Sequence, residues 1–363
     1  MSKVPWWIPL ALAAVAVRVL LIVLVCLRAD ISLGQWALLH DGWEYMRLSQ
    51  AIWAWDLGEL NPEHLRFFPL YPLVMAPLSQ ILPIEVAGLS LAILCAVVCA
   101  VLTAHLGNDR RLAWWLVAFT PSWLMYTSTV MSEALSVALT LGCLLMITRQ
   151  RWAWAGLLAG LSTLTRPVGA LLLLPLITAA LRCPESRRRK VLTALATGLP
   201  FPLAYLAVNR LMLGEALRSV SGYVQQDAAW PLQSLVHDTL DPSFSLQLKI
   251  LLWGTLALSL AGAVGLWRRW RQGERFTSPL LIWHVSALIF YVLIPSIWAF
   301  RCLDRFLLAI WPTTLIGLAP WLPRHRVIHT ALWLLLSLAA LSVAHRWAVN
   351  LSAVFPFAER ALP

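Results

Sequence analysis

The chain alternates apolar runs long enough to cross a bilayer with short, charged breaks. That alternation leaves few folds open. A helix of about 20 apolar residues spans a bilayer core, and in lipid every backbone polar group must be satisfied inside a helix or a closed barrel. The apolar runs here are continuous rather than alternating in polarity, which speaks against a barrel. Composition agrees: 60% hydrophobic and 12% charged residues, with a mean hydropathy of +0.75, against roughly a quarter charged in soluble domains. The expected fold is all-α, a polytopic transmembrane helix bundle forming one domain over residues 1–363.

Apolar run lengths predict spans at 6–27, 86–106, 112–130, 134–148, 152–165, 168–182, 191–212, 248–267, 278–298, 306–322 and 327–345, about eleven in all. The first has one Lys before it and Arg18 within it. It is too long for a signal-peptide core and reads as an uncleaved signal-anchor. Residues 28–85 form a first outer loop and 213–247 a second, the latter with Tyr223, Gln225-Gln226-Asp227 and His237-Asp238. In the first loop Tyr45, Leu48, Ile52 and Trp55 recur at helical spacing while Glu44, Arg47 and Gln50 are polar, the pattern of an interfacial helix. The stretch Pro69 to Pro77 is too proline-rich for a long regular helix. Tryptophans near span ends (Trp6-Trp7, Trp53, Trp55, Trp114-Trp115, Trp152, Trp154, Trp267, Trp270) form an interfacial belt.

The net charge of +11 is read through loop asymmetry rather than as a nucleic-acid signal. Lys3 and the clusters at 110–111, 149–151, 182–190, 268–275 and 324–326 hold 16 of the 28 basic residues and only Asp109, Glu185 and Glu274 of the acidic ones. The opposite-side segments hold 11 basic and 14 acidic residues. This places the N-terminus in the cytoplasm and the loop carrying Asp41 outside, with the inner (plasma) membrane as the expected location. The six cysteines form no convincing disulfide set: most lie in spans and read as small core fillers. The eight histidines show no metal-ligand spacing, and no glycine-rich phosphate loop points to a nucleotide-driven machine.

The candidate chemistry begins with His40-Asp41-Gly42-Trp43-Glu44-Tyr45, directly after the first span. A carboxylate beside an acceptor hydroxyl can take its proton as a general base. Where a phosphate is the leaving group, already a good one, one carboxylate can suffice. The alternative is that Asp41 caps the helix that follows it, and both readings stay open. Arg166, in Thr165-Arg166-Pro167, sits in an otherwise uncharged stretch, where a charge is expected to face a partner or a polar cavity; its planar fork suits a phosphate. Snorkelling to the interface is the other reading. Glu133 lies in the polar island Tyr126 to Glu133, as acceptor contact or as part of a helix start. Arg66, before Phe67-Phe68-Pro69, and Arg301 and Arg305, around Asp304, could meet the same phosphate. His40 is the histidine to watch.

Taken in order, Asp41-Gly42-Trp43-Glu44-Tyr45, Phe67-Phe68-Pro69-Leu70-Tyr71-Pro72, Ser132-Glu133-Ala134-Leu135, Ala159 through Pro167 and, more loosely, Asp304-Arg305-Phe306 with Pro312 resemble the bacterial relatives of the GPI second-mannose transferase (PIG-V-like) family, within the GT-C superfamily. The resemblance covers residues 35–180 best. It implies a GT-C type bundle with an outward-facing catalytic loop. It implies inverting transfer of a sugar, usually mannose, from a polyprenyl-phosphate carrier to a lipid, glycan or protein acceptor. It gives the base role to Asp41. His40 departs from the aromatic residue that often precedes this Asp in eukaryotic members, so acceptor identity does not carry over. The expected assignment is Asp41 as base; Arg166, Arg66, Arg301 and Arg305 on the donor phosphate; His40, Tyr45, Glu133 and Tyr71 on substrate; and no metal or other cofactor. The rival reading is a transporter or flippase for a lipid-linked or small anionic solute, although the paired broken helices of such proteins are not visible here.

Overall fold

The computed structural model describes residues 5–56, 67–118, 120–183, 186–217, 232–241, 246–274, 276–294 and 302–322, and every regular element among them is helical. The chain divides into two compact units, one over 1–138 with 322–363 and one over 139–321. Four helical stretches, Trp7–Ala29, Ile84–Gly107, Arg187–Leu211 and Lys249–Arg271, are long and apolar enough to cross a membrane. At 1.5 Å per residue each gives roughly 35 Å of helix, enough for a hydrocarbon core of about 30 Å. Three shorter apolar stretches, Glu133–Thr148, Pro167–Arg182 and Thr277–Leu293, accompany them. The expected span at 327–345 lies outside the described residues.

The first unit contains α1 (Trp7–Ala29), α2 (Leu33–Ala37), α3 (Gly42–Ala54), α4 (Leu70–Leu78), α5 (Ile84–Gly107), α6 (Arg110–Ala118), α7 (Pro121–Tyr126) and the start of α8 (Glu133–Thr148). α1, α2, α4 and α6 pack on α5. α1 and α5 stop at Asp30 and Asn108, both left-handed, the conformation that closes a helix C-terminus and that Asn and Asp tolerate. The expected span at 112–130 is not one helix. Pro121 forces the preceding Thr120 out of the helical region (φ −118°, ψ 99°), and the run splits into α6 and α7, as the clash of a proline ring with the residue before it requires. α4 does form across the proline-rich stretch, but it is nine residues long. Pro72 lies in its first turn, where amide donors have no helical partner to lose.

The helix expected from Tyr45 to Trp55 is α3, with two differences from the sequence pattern. Glu44 is buried at 3% exposure, because it lies in the first turn beside the apolar face rather than on the outer strip. Trp55 leaves the apolar stripe: α3 ends at Ala54, Trp55 takes the left-handed closing position, and it is 84% exposed.

The second unit continues α8 and adds α9 (Trp152–Thr163), a 3-10 turn (Pro167–Leu172), α10 (Leu173–Arg182), α11 (Arg187–Gly198), α12 (Pro200–Leu213), α13 (Gln233–Leu240), α14 (Leu246–Arg271), α15 (Thr277–Leu293), α16 (Leu303–Phe306), a second 3-10 turn (Leu307–Ala309) and α17 (Trp311–Leu318). Two crossings bring backbones into contact. A Cβ on Gly156 of α9 would sit 2.1 Å from the Ala194 carbonyl of α11, and one on Gly265 of α14 would sit 2.0 Å from the Gly317 carbonyl of α17. Small residues at such crossings are how membrane helices gain packing when the solvent itself is apolar. Buried His284 bridges three helices, with Nε2 2.9 Å from the Ser259 carbonyl and Nδ1 2.9 Å from Thr313 Oγ1. All six cysteines are free thiols, and Cys95, Cys99 and Cys143 are buried.

Candidate active site

The sequence places Asp41 between two constraints on the backbone. His40 is left-handed, φ 58°, a conformation in which His, Asn and Asp are enriched among non-glycine residues. Gly42 comes so close to α2 that a Cβ there would lie 2.0 Å from the Ala37 carbonyl. Asp41 is therefore held at a sharp α2–α3 corner. It occupies the N-cap position of α3, yet its side chain makes no capping hydrogen bond. The carboxylate is half-buried.

The corner is fastened to the polar turn between α7 and α8. From α2, Trp36 Nε1 donates to the Ser128 carbonyl at 2.6 Å. From α3, Tyr45 Oη lies 2.7 Å from Ser132 Oγ. From α1, Arg18 Nε donates to Thr127 Oγ1 at 2.8 Å, and Thr127 in turn donates to the Trp123 carbonyl at 2.7 Å. The rings of His40 and Tyr126 are 5.4 Å apart. Glu133, the first residue of α8, is 3% exposed beside fully buried Ser132. At the start of a helix a carboxylate is favoured by the amide dipoles. Both Asp41 and Glu133 thus belong to one hydrogen-bonded frame, with Asp41 at its more open edge.

Tyr45 also anchors an aromatic cluster. Its ring meets Phe67 at 5.4 Å and Tyr71 at 5.1 Å, both edge-on. Tyr71 is fully buried and its hydroxyl donates to the Gly88 carbonyl at 2.9 Å. Burial pushes the Tyr71 hydroxyl well above its ordinary value, with Cys95, Tyr45 and Glu133 adding to the effect. Tyr71 is therefore a neutral donor that braces α4 against α5.

In the second unit, Arg166 stands between α9 and the 3-10 turn. Pro167 holds it extended (φ −156°, ψ 141°), which turns the chain out of α9. Its guanidinium carbon lies 6.0 Å from the centre of the Phe306 ring. Phe306 stacks on Tyr291 at 5.2 Å with an interplanar angle of 6°. Arg166 is half-buried, so its fork rests on an aromatic step without being sealed from a ligand. A cation over an aromatic face gains about 0.5–1 kcal/mol at exposed sites. Arg305 is half-buried beside Phe306, and Asp304 is buried. Arg66 and Arg301 lie outside the described residues, as do Tyr223 and Gln225 to Asp227.

Sequence reasoning named Arg18 only as a charge inside a span. It is fully buried, and besides Thr127 it donates through Nη1 to the Ala14 carbonyl at 3.0 Å. The cost of burying a charge in a span was the available signal. Tyr291 and the ring of Phe306 carried none, since apolar aromatics in a span look alike whether or not they support a cation. His237, Asp238 and Asp241 of α13 and its end bring potential metal-ligand atoms within 4.8 Å of one another, a grouping the histidine spacing alone did not reveal. His237 Nδ1 lies 3.1 Å from Asp238 Oδ1.

No known protein-family profile matches the chain, and no curated protein matches it. Solved structures do. ArnT from Cupriavidus metallidurans bound to undecaprenyl phosphate aligns with a TM-score of 0.56 at 16% identity, over 83% of this chain and 59% of that one. The same protein in the apo state aligns with a TM-score of 0.53 at 15% identity, over 79% and 56%. The chain thus spans under three fifths of the length of the structures it matches. With its long apolar helices, the chain is an integral membrane protein whose helical fold resembles that of ArnT.

Proposed function

We propose that the protein is a membrane glycosyltransferase that moves a sugar, mannose by the motif resemblance, from a polyprenyl-phosphate carrier to an acceptor hydroxyl on the outer face of the membrane. The observation that carries this reading is Asp41: a carboxylate at a helix N-cap that does not cap, half-open at the corner of a rigid frame. The likeness to a fold solved with undecaprenyl phosphate supports a lipid-phosphate donor.

In this mechanism the acceptor hydroxyl attacks the anomeric carbon from the face opposite the phosphate. Its proton passes to the Asp41 carboxylate. The bond from the anomeric carbon to the phosphate oxygen breaks, its electron pair leaves with the polyprenyl phosphate, and the configuration inverts. Arg166 holds the phosphate in a charge-assisted fork, and Arg66, Arg301 and Arg305 supplement it. Glu133, His40 and Tyr45 shape the acceptor side, where the PIG-V-like motifs lie. No metal or other cofactor enters.

The test is transfer of labelled mannose from polyprenyl-phosphate mannose in membranes, comparing the native chain with Asp41→Asn and Asp41→Ala. Loss of a general base slows transfer by about 10²–10⁴-fold, and both variants should show it with unfolding midpoints unchanged. Were Asp41 a cap, Asp41→Ala would instead lose about 0.5–2 kcal/mol of stability. Full transfer by Asp41→Asn ends the proposal. Solute uptake without any transfer would favour the transporter reading.

A further inference from the structure

A groove of about 610 Å³ runs between α14 and α15, walled by Val264 and Trp267 on one side and Ile282, Val285, Ser286 and Ile289 on the other. Among the described residues it offers a ligand no polar group. The one hydroxyl in this wall, Ser286 Oγ, donates to the Trp283 carbonyl at 3.0 Å. The walls are fixed from behind: His284 ties α15 to the Ser259 carbonyl of α14 and to Thr313 of α17. The groove is therefore preformed, and only hydrocarbon suits it.

One end of the groove is different. Trp267, a groove wall, carries the Arg271 guanidinium at 5.4 Å from its ring centre, and Arg268 lies 5.6 Å from the ring of exposed Trp321. Their neighbour Arg269 is already engaged, by Glu274 Oε2 at 2.8 Å and the Ile316 carbonyl at 3.0 Å. Among the described residues no carboxylate pairs with Arg268 or Arg271, and both are exposed. Tryptophans mark the level of the lipid headgroups. An open apolar groove thus ends at headgroup depth beneath two exposed cations.

We infer that this groove binds one acyl chain of an anionic phospholipid whose phosphate sits on Arg268 and Arg271. A phosphate accepts the planar forks of both arginines. A zwitterionic headgroup would bring its own ammonium against them, so the site selects for net negative charge. Basic pockets between membrane helices take anionic headgroups by this means, at about five-fold in affinity per arginine near the surface. The site needs no part of the transfer chemistry and stands whether or not Asp41 is a base.

Native mass spectrometry of the purified full chain tests it, with phosphatidylglycerol and phosphatidylcholine of identical acyl chains as probes. The native protein should retain one phosphatidylglycerol in preference to phosphatidylcholine. The pair Arg268→Gln and Arg271→Gln should weaken retention by about five-fold for each arginine, whereas Arg268→Lys with Arg271→Lys, which keeps the charge if the glutamine variant fails to fold, should keep the preference. Val264→Trp, which fills the slot and leaves the arginines in place, should lose the lipid. Equal retention of the two lipids, or undiminished phosphatidylglycerol on Val264→Trp, overturns the site. Displacement of phosphatidylglycerol by polyprenyl phosphate at equal concentration overturns the assignment of the occupant, making the groove a seat for an isoprenoid tail.

Discussion

Tyr45 and Ser132 share a hydrogen bond of 2.7 Å that joins the helix opening after Asp41 to the turn that opens onto Glu133. Tyr45 is 3% exposed and Ser132 is fully buried, so neither hydroxyl can turn to water. Tyr45→Phe leaves Ser132 Oγ without that partner, a loss of about 1–3 kcal/mol. Ser132→Ala alone should cost a similar amount. The double variant should cost little more than either single one, because the second change removes a group already orphaned. Chemical unfolding of the four proteins in detergent measures this, and additive losses would mean that the bond does not couple the two elements.

Arg18 sets a different expectation. It is a fully buried cation whose Nη2 has no hydrogen-bond partner. Replacing a buried ion by an apolar group of similar volume is often neutral or stabilising. Arg18→Met should therefore unfold within about 1 kcal/mol of the native protein. It nevertheless releases Thr127, and with it one of three fastenings on the turn before Glu133. Turnover should fall while the KM for donor stays near native. Unchanged turnover would reduce Arg18 to a structural residue.

Arg166 rests on Phe306, which rests on Tyr291. Lysine keeps the charge but cannot stack flat or present a two-pronged fork. Arg166→Lys should raise the KM for the polyprenyl-phosphate donor and leave the KM for acceptor unchanged. Phe306→Leu, which removes the ring and keeps the charge, should raise the donor KM by a smaller factor, roughly two- to five-fold for a contact of about 0.5–1 kcal/mol. Steady-state kinetics with each substrate varied separately read both. A shift in the acceptor KM instead would move Arg166 out of the phosphate role.

Tyr71 predicts an alkaline limb in stability. Burial raises its hydroxyl well above the ordinary value of 10.0, so the folded chain holds this proton more tightly than the unfolded chain. The contribution is whole below about pH 10, where both states are protonated, and is lost as pH rises past the unfolded value. Stability should be flat with respect to this group at neutral pH and fall above it. Tyr71→Phe should flatten that limb and, at pH 7, lose about 1 kcal/mol for the missing bond to the Gly88 carbonyl. Unfolding curves collected from pH 8 to 11 on both proteins decide it; parallel limbs would place the alkaline loss elsewhere.

Much of this architecture is legible in the sequence because lipid is a demanding solvent. The α1 and α5 runs announce themselves by length, and Asn108 marks the end of α5. The split at Thr120 was legible as well, since Pro121 stands in the sequence, but apolarity over 112–130 masked it: hydropathy averages over a kink that sterics cannot ignore. Glu44 misled for the opposite reason. A carboxylate at helical spacing reads as solvent-facing, and only the packed first unit shows it buried. Among the candidate residues, Asp41, Tyr45, Glu133 and Arg166 stood out as polar groups beside apolar runs. The pairings of Trp36 with Ser128 and of Arg18 with Thr127 did not, because each joins residues about ninety or more positions apart, and periodicity reports only on neighbours.

The corner at Gly42 limits how this protein can be diversified. With the Ala37 carbonyl 2.0 Å from where a Cβ would stand, even alanine must prise α3 off α2 and carry Asp41 with it. Libraries around this corner should leave that position untouched, keep His40 for its left-handed backbone, and vary the partly open Trp43, where new side chains can reshape the surroundings without moving Asp41.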